Sequence, residues 1–178
     1  AGAGGSTTAM ATVTVTAPPD TTPPGAPGTL LATAASAVQV NLSWGAATDD
    51  VAVTGYELER CAGSACTTFA LLANVTGTSF VNTTVSASTD YGYRVRARDA
   101  AGNTGPYTAI ARVTTPPPAP TVTLGANPSN LVSGGSSTLS WTSTNAASCT
   151  ASGGWSGTLA PNGAASSGAL TATTLFSL

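Results

Sequence analysis

The chain of 178 residues carries a net charge of −2; only 7% of it is charged, with five Arg, seven Asp or Glu, and neither Lys nor His. That balance excludes the basic footprint needed to hold nucleic acid or an anionic membrane. No 18-residue apolar run exists, which argues against membrane insertion. The length suits two small sandwich domains, and a polar surface of Thr, Ser, Asn and Gly favours strands and turns.

The chain begins without Met and shows no signal peptide, so it reads as a mature or excised piece. Residues 1–5 are Gly-rich, and from Thr7 to Thr16 the pattern alternates. Ala9, Ala11, Val13 and Val15 fall on one face, opposite Thr8, Met10, Thr12, Thr14 and Thr16. This predicts a strand over 7–16 with no partner of its own, and a lone strand is unstable in water. Residues 17–28 are Pro-rich and read as a semi-rigid linker.

Seven strands are predicted next, over 29–34, 38–44, 55–60, 67–73, 78–83, 91–98 and 109–115. Trp44, Tyr56, Tyr91 and Tyr93 take the inward positions. Glu57 and Glu59 on the third strand face Arg94 and Arg96 on the sixth, flanked by Arg112. Opposite charges across strands read as a solvated face; the functional alternative is an anion-binding Arg ladder. Cys61 and Cys66 sit either side of a short turn, too few for a metal site without His. A local disulfide is the better reading, and it implies an oxidising, extracellular or cell-surface setting.

A Trp on an early strand, a Tyr on the next and a Tyr opening a late strand resemble the fibronectin type III module, over about residues 20–116. The resemblance implies that Tyr91 is the tyrosine corner, its hydroxyl tied to the backbone just upstream. It also brings Asp49 and Asp50 near Asp99 and Asn103 at one end of the sandwich, with Asp20 entering from the linker. Oxygen ligands clustered in loops are a weak candidate for Ca²⁺; the plainer reading is that they cap turns. No other cofactor is expected. Asn41, Asn74 and Asn82 begin formal glycosylation sequons.

A second Pro-rich joint, 116–120, leads into residues 121–178, with strands predicted over 121–126, 137–142, 148–152, 155–159 and 170–178. Leu139, Trp141, Cys149 and Phe176 are core candidates. The run from Pro120-Thr-Val-Thr-Leu through Ser-Thr-Leu-Ser-Trp141 and Ser-Cys149-Thr-Ala-Ser-Gly-Gly-Trp155 to Leu175-Phe-Ser-Leu178 resembles the immunoglobulin-like repeats of bacterial secreted and surface proteins. In that family a later Cys pairs with the one matching Cys149, followed by a Gly-rich turn and a final strand. The resemblance therefore implies an incomplete domain with Cys149 unpaired. Residues 1–16 resemble the missing turn and strand.

The fold expectation is all-β: two tandem sandwich domains, 29–115 and 121–178, plus a donor-type strand in residues 1–16. Catalysis finds no support, since there is no His, no Lys, no Gly-x-Ser-x-Gly elbow and no phosphate loop, and the paired carboxylates lack a buried setting. Trp155, beside Gly153 and Gly154, is either a sugar-stacking ring or a corner of the core. Two functions follow. The first is a structural subunit or repeat of an extracellular filament or cell-surface fibre, its partners being further copies joined head-to-tail by strand complementation or as a tandem repeat. The alternative is a non-catalytic spacer, or a polysaccharide-binding accessory module, of a secreted hydrolase or adhesin.

Overall fold

The computed structural model describes residues 1–5 and 9–178. The described residues form thirteen strands and no helix, so the chain is all-β. In order they are β1 (Leu31–Ser36), β2 (Gln39–Ser43), β3 (Val53–Ala62), β4 (Ala70–Val75), β5 (Ser79–Asn82), β6 (Asp90–Asp99) and β7 (Ala111–Thr114). They continue as β8 (Thr121–Asn127), β9 (Thr138–Thr144), β10 (Cys149–Gly153), β11 (Gly157–Leu159), β12 (Gly163–Ser166) and β13 (Phe176–Ser177). By compactness the chain divides into two units: Ala1–Ala32, Leu42–Phe80 and Gly92–Arg112 in one, Thr33–Asn41, Val81–Tyr91 and Val113–Leu178 in the other.

The first seven strands make two sheets, ordered β1-β2-β5 and β4-β3-β6-β7. Alternation explains which faces are dry. On β2, Val40 and Leu42 are buried between exposed Asn41 and Ser43; on β6, Tyr91, Tyr93, Val95 and Ala97 are buried while Arg94 and Arg96 are half-buried and Arg98 is exposed. Trp44 meets the Tyr56 ring edge-on, with centroids 5.6 Å apart. Each Tyr then satisfies its polar end: the Ala47 N–H donates to Tyr56 Oη at 3.1 Å, and the Ser86 N–H donates to Tyr91 Oη at 2.8 Å. The second bond ties β6 to the backbone just upstream.

The Pro-rich stretch is docked from Asp20 onward rather than spanning open solvent. Pro24, Pro27 and Leu30 are buried. The Gly25 N–H donates to Thr48 O, and the Gly28 N–H to Gly45 O. Gly105 makes this possible, because a Cβ there would fall 2.3 Å from the Pro24 carbonyl oxygen. At the other end Thr115, buried, donates through its hydroxyl to Ser86 O at 2.6 Å and closes the sheet's last strand onto the Tyr91 corner.

Residues 121–178 form two further three-stranded sheets, β12-β9-β8 and β11-β10-β13. Leu139, Trp141, Cys149 and Ala151 are buried. The sequence does not predict β12: Gly163-Ala-Ala-Ser166 has neither β-branched nor aromatic residues to mark a strand. Its place comes from tertiary pairing, with Gly163 opposite Trp141; a Cβ at 163 would meet the indole at 2.6 Å. The strand predicted over 170–178 is reduced to Phe176–Ser177, because Leu170 bonds instead with Gly134 and Gly135.

The predicted N-terminal strand is also not a strand in this structure. Of its residues, Thr7 and Thr8 lie outside the described ones. Residues 9–16 join no ladder, and Ala9, Ala11, Val13 and Val15 are exposed, Val13 at 84% and Val15 at 88%. Strand geometry is held by cross-strand hydrogen bonds, and this segment has no partner to supply them.

Candidate functional site

Two side-chain clusters and one groove concentrate the chemistry. In the first cluster the carboxylates of Asp20, Asp49 and Asp50 gather with their oxygens within 4.8 Å of one another. Asp49 Oδ2 accepts from the N–H groups of Val51 and Ala52 and caps the loop before β3, while its Oδ1 is buried without a partner. Asp20 Oδ1 accepts from the Thr22 N–H at 2.9 Å. Three carboxylate ligands suit a hard divalent cation.

Asp99 and Asn103 do other work. The Asp99 carboxylate accepts three bonds of 2.8 Å, from the N–H of Gly102, the N–H of Asn103 and Asn103 Nδ2. Burial pushes its pKa upward, but these donors outweigh that and hold it below the usual carboxylate range. Asn103 Nδ2 also reaches Asp20 O at 3.3 Å. The pair closes a turn and anchors the start of the docked segment, leaving no lone pairs set aside for a cation.

The second cluster lies on the outer face of β3 and β6. Arg94 donates through Nε and Nη2 to Glu59 Oε2, both at 2.7 Å, and Arg96 likewise pairs with Glu57. Sequence reasoning places these four residues together but misses Phe69 and Tyr107. The Arg94 guanidinium lies 4.4 Å from the Phe69 ring centroid and 4.0 Å from that of Tyr107. Tyr107 Oη donates to Glu59 Oε1 at 2.6 Å. Desolvation raises the Glu59 pKa, yet the Tyr107 and Arg94 hydrogen bonds carry it below its ordinary value; the same burial and the Glu59 bond raise Tyr107. Two Arg and two Glu neutralise one another here, so the face is a closed network rather than an open row of cations. Tyr107 stands four residues before β7, where no periodic signal marks it.

Cys61 and Cys66 are bonded, with Cα atoms 5.8 Å apart. Arg112 pins their loop by donating to Ser64 O at 2.9 Å and Cys66 O at 3.3 Å. Gly92 makes room for the bridge, since a Cβ there would approach Cys61 Sγ to 3.0 Å. Among the sequons, Asn41 and Asn74 are exposed, but Asn82 is buried and its Oδ1 accepts from Thr84, which closes it to a glycan.

Trp155 is part of a small core. Its ring is edge-to-face with Trp141 at 5.3 Å and with half-buried Phe176 at 5.9 Å, and Nε1 donates to Ser177 O at 2.9 Å. Beside that core runs a groove of about 280 Å³, lined by residues that include Thr121, Val122, Ala146, Cys149 and Leu178. Cys149 is unpaired and buried.

No protein-family model matches the chain. It is similar to an alpha-amylase of Niallia circulans, 46% identical over 102 residues, which is 57% of this chain and 7% of that protein. It is also similar to exoglucanase B of Cellulomonas fimi, 43% identical over 100 residues (56% and 8%), and to chitinase A1 of Niallia circulans, 38% identical over 133 residues (71% and 18%). The chain thus spans less than a fifth of the length of these curated relatives. Among solved structures it is similar to the FN5 domain of Drosophila Lar, at 23% identity and TM-score 0.43, covering 52% of this chain and 97% of that one. The sixth fibronectin type III domain of human fibronectin type III domain containing protein 3 gives 24% identity and TM-score 0.48, covering 56% and 92%.

Proposed function

We propose that this chain is a non-catalytic spacer within a secreted, polysaccharide-acting protein. The observation that carries the reading is the breadth of the likeness: one stretch of about a hundred residues is shared with an alpha-amylase, an exoglucanase and a chitinase. A segment common to enzymes of three different names is not what distinguishes their substrates, so its work is one that all three need. The expectation of a fibre subunit draws no support from these relatives, whereas the accessory-module alternative does.

Physical features favour spacing over sugar binding. Sugar rings are held by flat, exposed aromatic faces, and among the described residues no aromatic side chain is exposed. Trp155 is packed with Trp141 and Phe176, and Tyr107 and Phe69 flank Arg94. The ends are Pro-rich, which keeps such a unit from collapsing onto its neighbours. In this reading residues 29–115 and 121–178 are successive rigid pieces, set outside the cell, where the Cys61–Cys66 bond persists.

The test is a pelleting assay of the chain with insoluble cellulose, chitin and starch. A spacer remains in the supernatant with all three. Retention on any of them overturns the spacer reading, and its loss in Trp155→Ala would assign the sugar to that ring. A second element of the proposal is a divalent cation on Asp20, Asp49 and Asp50, favoured by the buried, unpartnered Asp49 Oδ1. Its role would be to fasten the docked Pro-rich segment to the loop before β3.

A further inference from the structure

We infer that residues 9–16 of one copy of this chain add as a strand in the groove beside Cys149 of a second copy. Two unmet needs in the structure match. Residues 9–16 alternate small apolar side chains with Thr or Met, and all of them are exposed. Nothing else in the described chain leaves two valines on one face as open to water as Val13 and Val15. A segment with this period has one stable use, as a strand with its apolar face covered.

The groove supplies the complementary surface. Thr121 and Val122 of β8 form one of its margins, and Leu178, just past β13, contributes to another. Each of these strands ends its sheet and pairs on one side only, β8 with β9 and β13 with β10. Each therefore presents backbone N–H and C=O groups on its free side, the template for an added strand. The apolar side chains of Val122, Ala146 and Leu178, with Cys149, line the space between, and small Ala and Val side chains suit a groove of about 280 Å³. Charge raises no obstacle: residues 1–19 and 113–178 contain no Asp, Glu, Lys or Arg, so no ion is desolvated on docking. Because the donor segment and the groove lie at opposite ends of the sequence, the contact is head-to-tail and repeats from copy to copy. This inference is independent of the spacer reading; pelleting on a polysaccharide would leave it untouched.

The experiment uses Cys149 as a built-in reporter. Full-length variants Thr12→Cys, Val13→Cys, Thr14→Cys and Val15→Cys are mildly oxidised and run on non-reducing gels. A disulfide needs Cα atoms roughly 4.4–6.8 Å apart with converging side chains, so cross-linked multimers should form about tenfold more at 13 and 15 than at 12 and 14. The Cys149→Ser background should abolish them. Sedimentation of the unmodified chain gives an independent reading: association should rise with concentration and disappear in Val13→Asp/Val15→Asp. Equal yields at all four positions, links confined within one chain, or a chain that stays monomeric at every concentration would each overturn the inference.

Discussion

Replacing Tyr91 by Phe tests the fold at a single atom. The ring stays, and so does its burial, since Tyr91 is only 5% exposed. What is lost is the acceptor for the Ser86 N–H at 2.8 Å. A net hydrogen bond contributes about 0.5–1.5 kcal/mol, and an orphaned buried group costs about 1–3 kcal/mol. Ser86 itself lies at the surface, so water recovers part of the donor's loss. The expected cost is therefore about 1–2 kcal/mol, toward the lower part of the combined range. With an m-value of about 1–3 kcal/mol/M, the urea midpoint should fall by roughly 0.5–1 M at constant m. Fluorescence of Trp44, which packs on Tyr56, reports the transition. Tyr56→Phe is the natural comparison, because its bond from Ala47 is longer, at 3.1 Å, and its expected cost is about 0.5–1 kcal/mol. An unchanged midpoint in Tyr91→Phe would refute the view that this hydroxyl secures β6.

The remaining expectations concern the two clusters and the docked segment. Glu59 has a folded pKa below its ordinary 4.5, and Asp99 one below 3.8, so their stabilisation is complete above those values and is lost as pH falls through the folded ones. Thermal stability should thus be level near neutrality and decline below about pH 4.5, and Glu59→Gln should make that acid decline shallower while lowering the neutral plateau; an identical pH profile would exclude Glu59. Gly105→Ala drives a methyl into the Pro24 carbonyl and should cost about 1–3 kcal/mol, with the stretch from Asp20 becoming open to proteases. Wild-type resistance to proteolysis in that variant would mean the stretch is not held there. Calcium should raise the melting temperature, by the equivalent of about 2.7 kcal/mol at a hundredfold excess over Kd, and Asp49→Asn should remove the gain. No shift at millimolar calcium would count against the cation.

Much of this protein was legible in residue order, because alternation is a local property. Val40 and Leu42 on β2, and Tyr91 through Ala97 on β6, declare their buried faces by period two, and the structure buries them. The Cys61–Cys66 bridge follows from short spacing alone. Opposite charges at alternate positions of two strands announce the Glu57, Glu59, Arg94 and Arg96 pairs. Each of these signals needs only a few neighbouring residues to be read.

Where contact joins residues far apart in sequence, only the tertiary structure decided. Phe69 and Tyr107 reach Arg94 from 25 residues before it and 13 after it, and neither position has a pattern that marks it. Strand β12 exists because Gly163 lets the Trp141 ring lie over the backbone, although its own residues have little strand preference. The Pro-rich stretch reads as a spacer by composition, yet Gly105 and the Gly25–Thr48 bond lay it on the domain. The opposite happens at residues 9–16, where a clear strand pattern forms no strand. Periodicity specifies which face a strand would bury, but the ladder itself requires a partner edge, and that edge is supplied by the rest of the fold or by another molecule.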